Sequence, residues 1–248
     1  MYQFFVEPHQ IDMTSKRVTI QGPDVNHIKN VLRMKVGEEL NVSNGIDGRE
    51  YRCGIAEYTE DSVLCELYFV KEDNVELPAE IWLFQGLPKA DKMEWIIQKT
   101  VELGVAHIVP MATRRCIVKL DDKKADAKIA RWQEIAKAAA KQSKRGLIPT
   151  VHPVMPFKTA IEFVSDMDVR MIPYELAEDM QHTRDLLAKA KPGQRIAVFI
   201  GPEGGFEEAE IQTALSAGVE PVTLGRRILR TETAGMTVLA WLSYLLEQ

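Results

Sequence analysis

Cysteine is scarce in this 248-residue chain: Cys53, Cys65 and Cys116 are odd in number and far apart. No CxxC or CxxH spacing exists, so neither a disulfide framework nor a zinc site is indicated. That economy points to a reducing, cytoplasmic setting. Five histidines (His9, His27, His107, His152 and His182) are scattered and form no HExxH or HxH pattern, so no metal is expected. Long apolar runs are missing too. The longest, Val238 to Leu246, is interrupted by Ser243 and Tyr244, which argues against a membrane span. The opening MYQFFVEPHQ lacks a basic stretch followed by an apolar one, so no signal peptide is expected. Internal repeats and low-complexity segments are absent. So are the phosphate-loop spacings GxGxxG and GxxxxGK[ST].

What is present describes a globular protein: 46% hydrophobic and 27% charged residues, in a length that suits one large domain or two small ones. The net charge of −5 conceals an uneven distribution. Residues 1–76 carry eight basic and fourteen acidic side chains, and residues 148–248 carry nine and fourteen. Residues 89–147 reverse the balance, with fourteen basic and seven acidic. Such a concentration can attract a phosphate backbone although the whole molecule is acidic; the alternative is a solvated helix face.

Two rhythms follow one another. Up to about residue 75 the chain reads as short strands (FFV, RVTI, ELNVSNG, EYRCGIAEY, VLCELYFV) punctuated by Asn44-Gly45 and Asp47-Gly48. One helical stretch, PDVNHIKNVLRMKVGE, places Val25, Ile28, Val31 and Leu32 on one face. A small β-barrel with an inserted helix is expected over residues 1–75. The polar KEDNVELPAE makes the boundary. Residues 76–248 then alternate strand and helix. IWLFQGL, AHIVPMAT, VRMIPYE and RIAVFI read as strands, and VTLGRRIL as a short strand or turn. DKMEWIIQKTVELGV reads as a helix with an Asp91/Glu94 capping box, burying Met93, Ile96, Ile97, Thr100 and Val101. Residues 123–145 form a long helix with Ile129, Trp132, Ala136, Ala139 and Ala140 inward and Lys137, Lys141 and Lys144 as a basic stripe. EEAEIQTALSAGV and TAGMTVLAWLSYLLEQ complete the set. Alternation of this kind predicts an α/β fold, a parallel sheet flanked by helices, with ligands at the carboxyl ends of the strands.

Two stretches carry chemistry. GPEGGF, residues 201–206, follows the strongest strand and precedes a helix. Glu203, Glu207, Glu208 and Glu210 crowd it, and these acids would repel a phosphate while suiting the helix dipole. The loop is either a tight turn that needs glycine for geometry, or a place where bare backbone approaches a neutral or cationic ligand. LGRRILRTETAG, residues 224–235, packs Arg226, Arg227 and Arg230 within five positions at a sheet edge, a pattern suited to an anionic substrate.

Together with QKTVELGV (Gln98 to Val105), the GPEGGF and LGRRILRTETA motifs resemble the bacterial 16S rRNA uridine-N3 methyltransferase family, part of the SPOUT superfamily of knotted methyltransferases. The resemblance covers nearly the whole chain, from FFV and HIKNVLRMKVGE onward. It implies a PUA-like, RNA-binding β-barrel in front of a SPOUT-type trefoil-knotted parallel sheet. Where that family reads EQS followed by GR, this chain has Lys141-Gln142-Ser143-Lys144-Arg145, which adds positive charge. Cys116 stands where serine is expected.

The resemblance further implies S-adenosylmethionine as cofactor, held bent by three loops. Ile172, Pro173 and Tyr174 would line the first, Gly201 and Gly204 the second, and Leu224, Gly225, Ile228 and Leu229 the third. The substrate would be 16S rRNA or the small ribosomal subunit, modified at N3 of the uridine at nucleotide 1498. Arg114, Arg115, Lys137, Lys141, Lys144 and Arg145 would meet RNA. Arg230 would stabilise charge on the base or clamp a phosphate. Glu232 and Glu203 are rival proton acceptors, Glu232 alternatively a helix-cap partner. Other readings are a SPOUT relative acting on tRNA or a ribose 2′-hydroxyl, and a non-catalytic RNA-binding relative. A homodimer is implied, with the apolar closing helix (Val238, Leu239, Trp241, Leu242, Leu245, Leu246) either at the interface or buried in the monomer.

Overall fold

Residues 17–21, RVTIQ, alternate between solvent and interior, so Val18 and Ile20 are buried while Arg17 and Gln21 are exposed. The same two-residue period builds the first unit of a computed structural model that describes residues 1–72, 75–174, 177 and 179–247. Its six strands are β1 (Gln3–Phe5), β2 (Ile11–Asp12), β3 (Arg17–Gln21), β4 (Glu39–Ser43), β5 (Glu50–Tyr58) and β6 (Ser62–Lys71). They run in the order β1-β4-β5-β6-β3-β2, antiparallel except for the parallel β1–β4 pair. Register shifts at Arg52/Cys53 and Ile55/Glu57 act as bulges that bend β5. One face closes over Phe4, Val18, Ile20, Ile28, Leu40, Val42, Tyr51, Ile55 and Val63. β1 and β2 stand at the two ends of this sheet order, so the sheet is an open, barrel-like one.

α1 (Pro23–Asn26) passes directly into a π turn over His27–Val31. The wider turn shifts the side chains after it out of α-helical phase. Val31, expected on the buried face, is 61% exposed, whereas Ile28 is fully buried.

The second unit is an α/β layer. Its strands are β7 (Glu80–Gly86), β8 (His107–Ala112), β9 (Thr150–Val151), β10 (Met155–Pro156), β11 (Val169–Pro173), β12 (Arg195–Ile200) and β13 (Glu220–Val222). All pair in parallel, in the order β10-β8-β7-β12-β11-β13 with β9 beside β8. Its helices are α2 (Lys92–Glu102), α3 (Asp122–Gln142), α4 (Phe157–Phe163), α5 (Met180–Leu187), α6 (Glu208–Ser216) and α7 (Thr231–Leu246). β12 is central and buried, and Phe199 stacks on Phe84 of β7 at 4.6 Å. Because the strands are parallel, the loops after β7, β11, β12 and β13 leave from one edge. No helix among the described residues is long and apolar enough to cross a membrane.

The compact units divide after Glu76, and residues 140–148 belong with the first unit rather than the second. That return changes the reading of two basic residues. Arg145, expected to meet RNA, is only 4% exposed. Its Nε and Nη2 donate to Glu76 Oε2 at 2.9 and 2.5 Å, and Gln3 Nε2 donates to its carbonyl at 2.6 Å. It is a structural residue, because a guanidinium this buried has no face left for a phosphate. Lys141 is half-buried: its Nζ lies 2.8 Å from Asp24 Oδ1 and 4.3 Å from the Phe4 ring centroid. Lys137 and Lys144 are exposed.

The capping box expected at α2 does not form. Asp91 makes no side-chain cap, and Glu94 instead meets Arg131 at 2.8 Å. β2, β9, β10, α4 and α5 were not foreseen. α5 has a legible signal after the fact: Asp179 accepts from the backbone N–H groups of Gln181 and His182, ahead of Thr183, Leu186 and Leu187 at helical spacing.

At the opposite, amino-terminal edge of the sheet, His107 Nδ1 lies 3.0 Å from His152 Nε2, and His107 Nε2 lies 2.9 Å from Glu80. Trp82 stacks on His107 at 3.8 Å and donates to Glu80. Burial pushes both imidazoles below the usual histidine range, with Glu80 opposing the shift at His107 and His107 adding to it at His152. The unfolded chain therefore takes up protons first as pH falls. Stability is full above the ordinary histidine value near 6.5 and declines as pH drops through it toward the folded values. Thermal unfolding from pH 7.5 to 5.5 will show a falling midpoint in the wild type and a flatter one in His152→Gln. Equal slopes would remove the histidine pair as the cause.

Candidate functional site

The loops at the carboxyl edge enclose an open cleft of about 1180 Å³. Its wall is Pro173 and Tyr174 after β11, Ile200 to Phe206 after β12, and Thr223 to Thr231 after β13, with Lys92, Arg115, Ala177, Met180 and Ala234 completing it. The first three segments contain the motifs singled out in the sequence. Pro173, Tyr174, Gly201, Gly204, Leu224, Gly225, Ile228 and Leu229 all line the cleft, as do Arg230 and Glu203. Ile172 does not: it is fully buried in the core with Phe84, Phe199 and Phe206, because side chains alternate along β11 and its neighbour points the other way. Ile228 is 89% exposed, so it offers a rim rather than an enclosing wall. Glu175, at the end of the MIPYE stretch, lies outside the described residues.

The glycine loop is built by close packing. Gly205 N–H donates to the Pro202 carbonyl at 2.9 Å with φ +66°, a conformation that favours glycine. A Cβ on Gly201 would come within 3.1 Å of the Gly205 backbone. Gly86, at the end of β7, was missed in the sequence. A Cβ there would meet Pro202 N and Cδ at 2.6 Å, so the bare strand end seats the loop. Gly86→Val will displace the loop and weaken ligand binding in the cleft; calorimetry showing wild-type affinity would contradict this.

A buried chain of hydrogen bonds ties the same parts together. Gln85 Nε2 donates to Thr231 Oγ1 at 2.9 Å, and Thr231 Oγ1 donates to the Gly201 carbonyl at 2.6 Å. Glu203 reaches across to α2, with Lys92 Nζ at 3.0 Å and the Lys89 N–H at 3.1 Å. Partial burial works against its carboxylate, but the loop backbone, Lys92 and Lys89 outweigh burial and hold it below the usual range. Glu232, in the first turn of α7, does not line the cleft; its Oε2 lies 3.5 Å from Lys92 Nζ. Arg115 donates to the Gly204 carbonyl at 2.8 Å, and Arg114 stands near Glu207 at 3.7 Å, outside the cleft lining.

The third loop is unspent. Arg226, Arg227 and Arg230 are exposed and make no ion pair with a described residue. The backbone N–H and C=O groups of Arg226, Arg227, Ile228 and Leu229 also find no hydrogen-bond partner among the described residues. A run of unpaired main-chain groups beside a cleft, next to free arginines, is a place for a polar ligand and an anionic one side by side. Among the described residues no group of three His, Cys, Asp or Glu side chains could hold a metal ion.

Residues 75–243 match the family model of an RNA methyltransferase domain, and residues 20–68 match that of an RNA methyltransferase PUA domain. The chain is 37% identical to the ribosomal RNA small subunit methyltransferase E of Bacillus subtilis, over all of this chain and 98% of that one. A crystal structure of the Neisseria gonorrhoeae ribosomal RNA small subunit methyltransferase E, bound to S-adenosyl methionine, superposes with a TM-score of 0.82 at 33% identity, covering 99% and 98% of the two chains. A methyltransferase of Legionella pneumophila, solved with its bound cofactor SAM, gives 0.81 at 32% identity, covering 98% and 95%. With a parallel-sheet domain, a barrel-like PUA domain and a full-length match, the chain belongs to the ribosomal RNA small subunit methyltransferase E family of RNA methyltransferases.

Proposed function

We propose that this protein transfers the methyl group of S-adenosylmethionine to N3 of a uridine in 16S rRNA, at nucleotide 1498 by family resemblance. The observation that carries this reading is the convergence of the GPEGGF and LGRRILRTETA loops on one cleft, beside three exposed arginines. Both SAM-bound relatives match over nearly their whole length.

The residues suit the cofactor. The unpaired main-chain groups of Arg226 to Leu229 can take up a nucleobase edge, and Pro173, Met180, Leu224, Leu229 and Ala234 offer apolar contact. Two carboxylates, Glu203 and Glu232, face the ammonium of Lys92 on one side of the glycine loop, while Arg115 holds the Gly204 carbonyl on the other. The carboxylates of Glu203 and Glu232 are compatible with a sulfonium cation in the cleft. When bound, S-adenosylmethionine supplies an electrophilic methyl group open to in-line displacement.

The chain's own residues must then position the uracil and manage its N3 proton. Arg230, at the N-cap of α7, has its guanidinium free to stabilise negative charge on the uracil carbonyls or to hold the adjoining phosphate. Glu203 is a weak candidate for proton acceptor, because its donors stabilise the ionised form. Glu232 is the remaining acid of the pair. Arg115, Arg226 and Arg227 offer positive charge to the RNA around the cleft, and Lys137, Lys141 and Lys144 are the outlying candidates.

The reading includes the trefoil knot and a homodimer. On α7, Val238, Leu239, Leu242 and Leu246 are buried within the monomer. Trp241 is half-buried, while Tyr244 and Leu245 are 71% and 38% exposed. The proposed interface therefore narrows to Trp241, Tyr244 and Leu245. Light scattering is expected to give twice the monomer mass; a monomer at micromolar concentration would refute the dimer.

The test of activity is incubation with labelled S-adenosylmethionine and small ribosomal subunits lacking their own modification, followed by nucleoside identification. 3-Methyluridine is the expected product. A methylated ribose, or label confined to tRNA, would overturn the substrate assignment.

A further inference from the structure

Lys92 occupies a position that the helix dipole disfavours. It is the first residue of α2, where the positive end of the helix dipole disfavours a cation. Ala90, two residues before it, holds φ +54°, a conformation uncommon for a residue with a Cβ. Ion pairs offset the cost at Lys92.

The compensation is a three-way meeting. Lys92 Nζ lies 3.0 Å from Glu203 Oε1, in the glycine loop, and 3.5 Å from Glu232 Oε2, in the first turn of α7. Glu203 has other donors, since the Lys89 N–H also reaches it. Glu232 Oε2 is buried and has no hydrogen-bond donor among the described residues, so its contact with Lys92 is Coulombic. Removing the ammonium would leave two carboxylates facing each other with no cation between them. Like charges at such range separate, and the two segments that carry them border the cleft.

We propose that Lys92 is a positioning residue for the cofactor. It sets the separation between the Gly201–Phe206 loop and the start of α7, and so the width of the cleft beside the glycine loop. Arg230 lies two residues before Glu232, so its position follows from the same ion pair. The Gln85–Thr231–Gly201 hydrogen bonds join the same two segments from below. Lys92 joins them from the side by charge. This inference rests on the proposed use of S-adenosylmethionine and adds a residue outside the loop motifs to its binding.

The experiment is calorimetric titration of S-adenosylmethionine into full-length wild type, K92M, K92R, and the E203Q/E232Q variant with and without K92M. K92M is expected to bind roughly 10- to 100-fold more weakly, because small displacements of positioning groups cost factors of this size. K92R, which keeps the charge, is expected to stay within about threefold of wild type. In the E203Q/E232Q background, K92M is expected to add less than about threefold, since the partners it served are gone. Wild-type affinity in K92M would overturn the proposal. So would K92R binding as weakly as K92M, or an undiminished loss in the double-glutamine background. Should K92M fail to fold, K92R and E203Q/E232Q decide: weak binding by K92R overturns the proposal, and retention by K92R with loss in E203Q/E232Q supports it. A wild type that takes up no S-adenosylmethionine would refute the cofactor reading itself, and the proposal with it.

Discussion

Arg230→Ala is expected to lower kcat for methyl transfer by roughly 10²- to 10³-fold, the cost of losing one preorganised donor at a site of developing charge. The neutral uracil imide is a poor nucleophile, and removing its N3 proton places negative charge on the flanking carbonyls. A guanidinium in the cleft wall stabilises that charge without reorganising. Arg230 suits the task because its exposed side chain makes no ion pair among the described residues. Its backbone has a separate duty: the carbonyl accepts from Thr233 and Ala234 at 2.9 Å and starts α7. Alanine keeps that backbone, so the fold and cofactor affinity are expected to hold. Single-turnover rates on small subunits and calorimetry with S-adenosylmethionine separate the two. A loss of cofactor affinity with unchanged kcat would mean that Arg230 serves the cofactor instead. Arg230→Lys is expected to recover only part of the rate, since an ammonium cannot span two acceptors as a planar fork does.

The cleft was legible from sequence where the chemistry sat in contiguous motifs. GPEGGF and LGRRILRTETA are local words, and the parallel alternation of strands and helices fixed which edge they share. Parts built from distant residues were not legible. Lys92 meets Glu203 and Glu232 across separations of more than a hundred residues, and no local pattern marks it. Gly86 matters only because Pro202 rests on it. Ile172 was misplaced by a one-residue question of strand facing, which the largely buried β11 does not reveal by periodicity. α4 went unread because its seven residues span only about two turns, too short for a helical period to show, and α5 because its apolar residues are few and its flanks polar. The Asp91/Glu94 pair has the spacing of a capping box, yet a tertiary partner, Arg131, took Glu94.

The basic segment shows the same limit with the greatest consequence for stability. Residues 141–145 carry three cations and no acid, which reads as an RNA-facing surface. Charge counts do not report burial. The Arg145 and Glu76 side chains are only 5% and 8% exposed, and Glu76 also accepts the Leu147 N–H at 3.1 Å. Arg145→Ala therefore leaves a desolvated carboxylate without its guanidinium, and the expected loss is about 3–5 kcal/mol. For a unit of this size that corresponds to a fall of roughly 12–40 °C in the unfolding midpoint of the first unit. The Arg145→Met/Glu76→Leu double variant is expected to be more stable than Arg145→Ala, because it removes the buried charges together. Differential scanning calorimetry with the transitions of the two units resolved is the measurement. A single variant within about 1 kcal/mol of wild type would show that the pair is not a structural anchor. RNA affinity in the double variant then decides whether Arg145 meets RNA. Binding close to wild type confirms that Arg145 holds the first unit together and does not touch RNA, whereas a folded double variant with weakened binding would return it to the RNA surface.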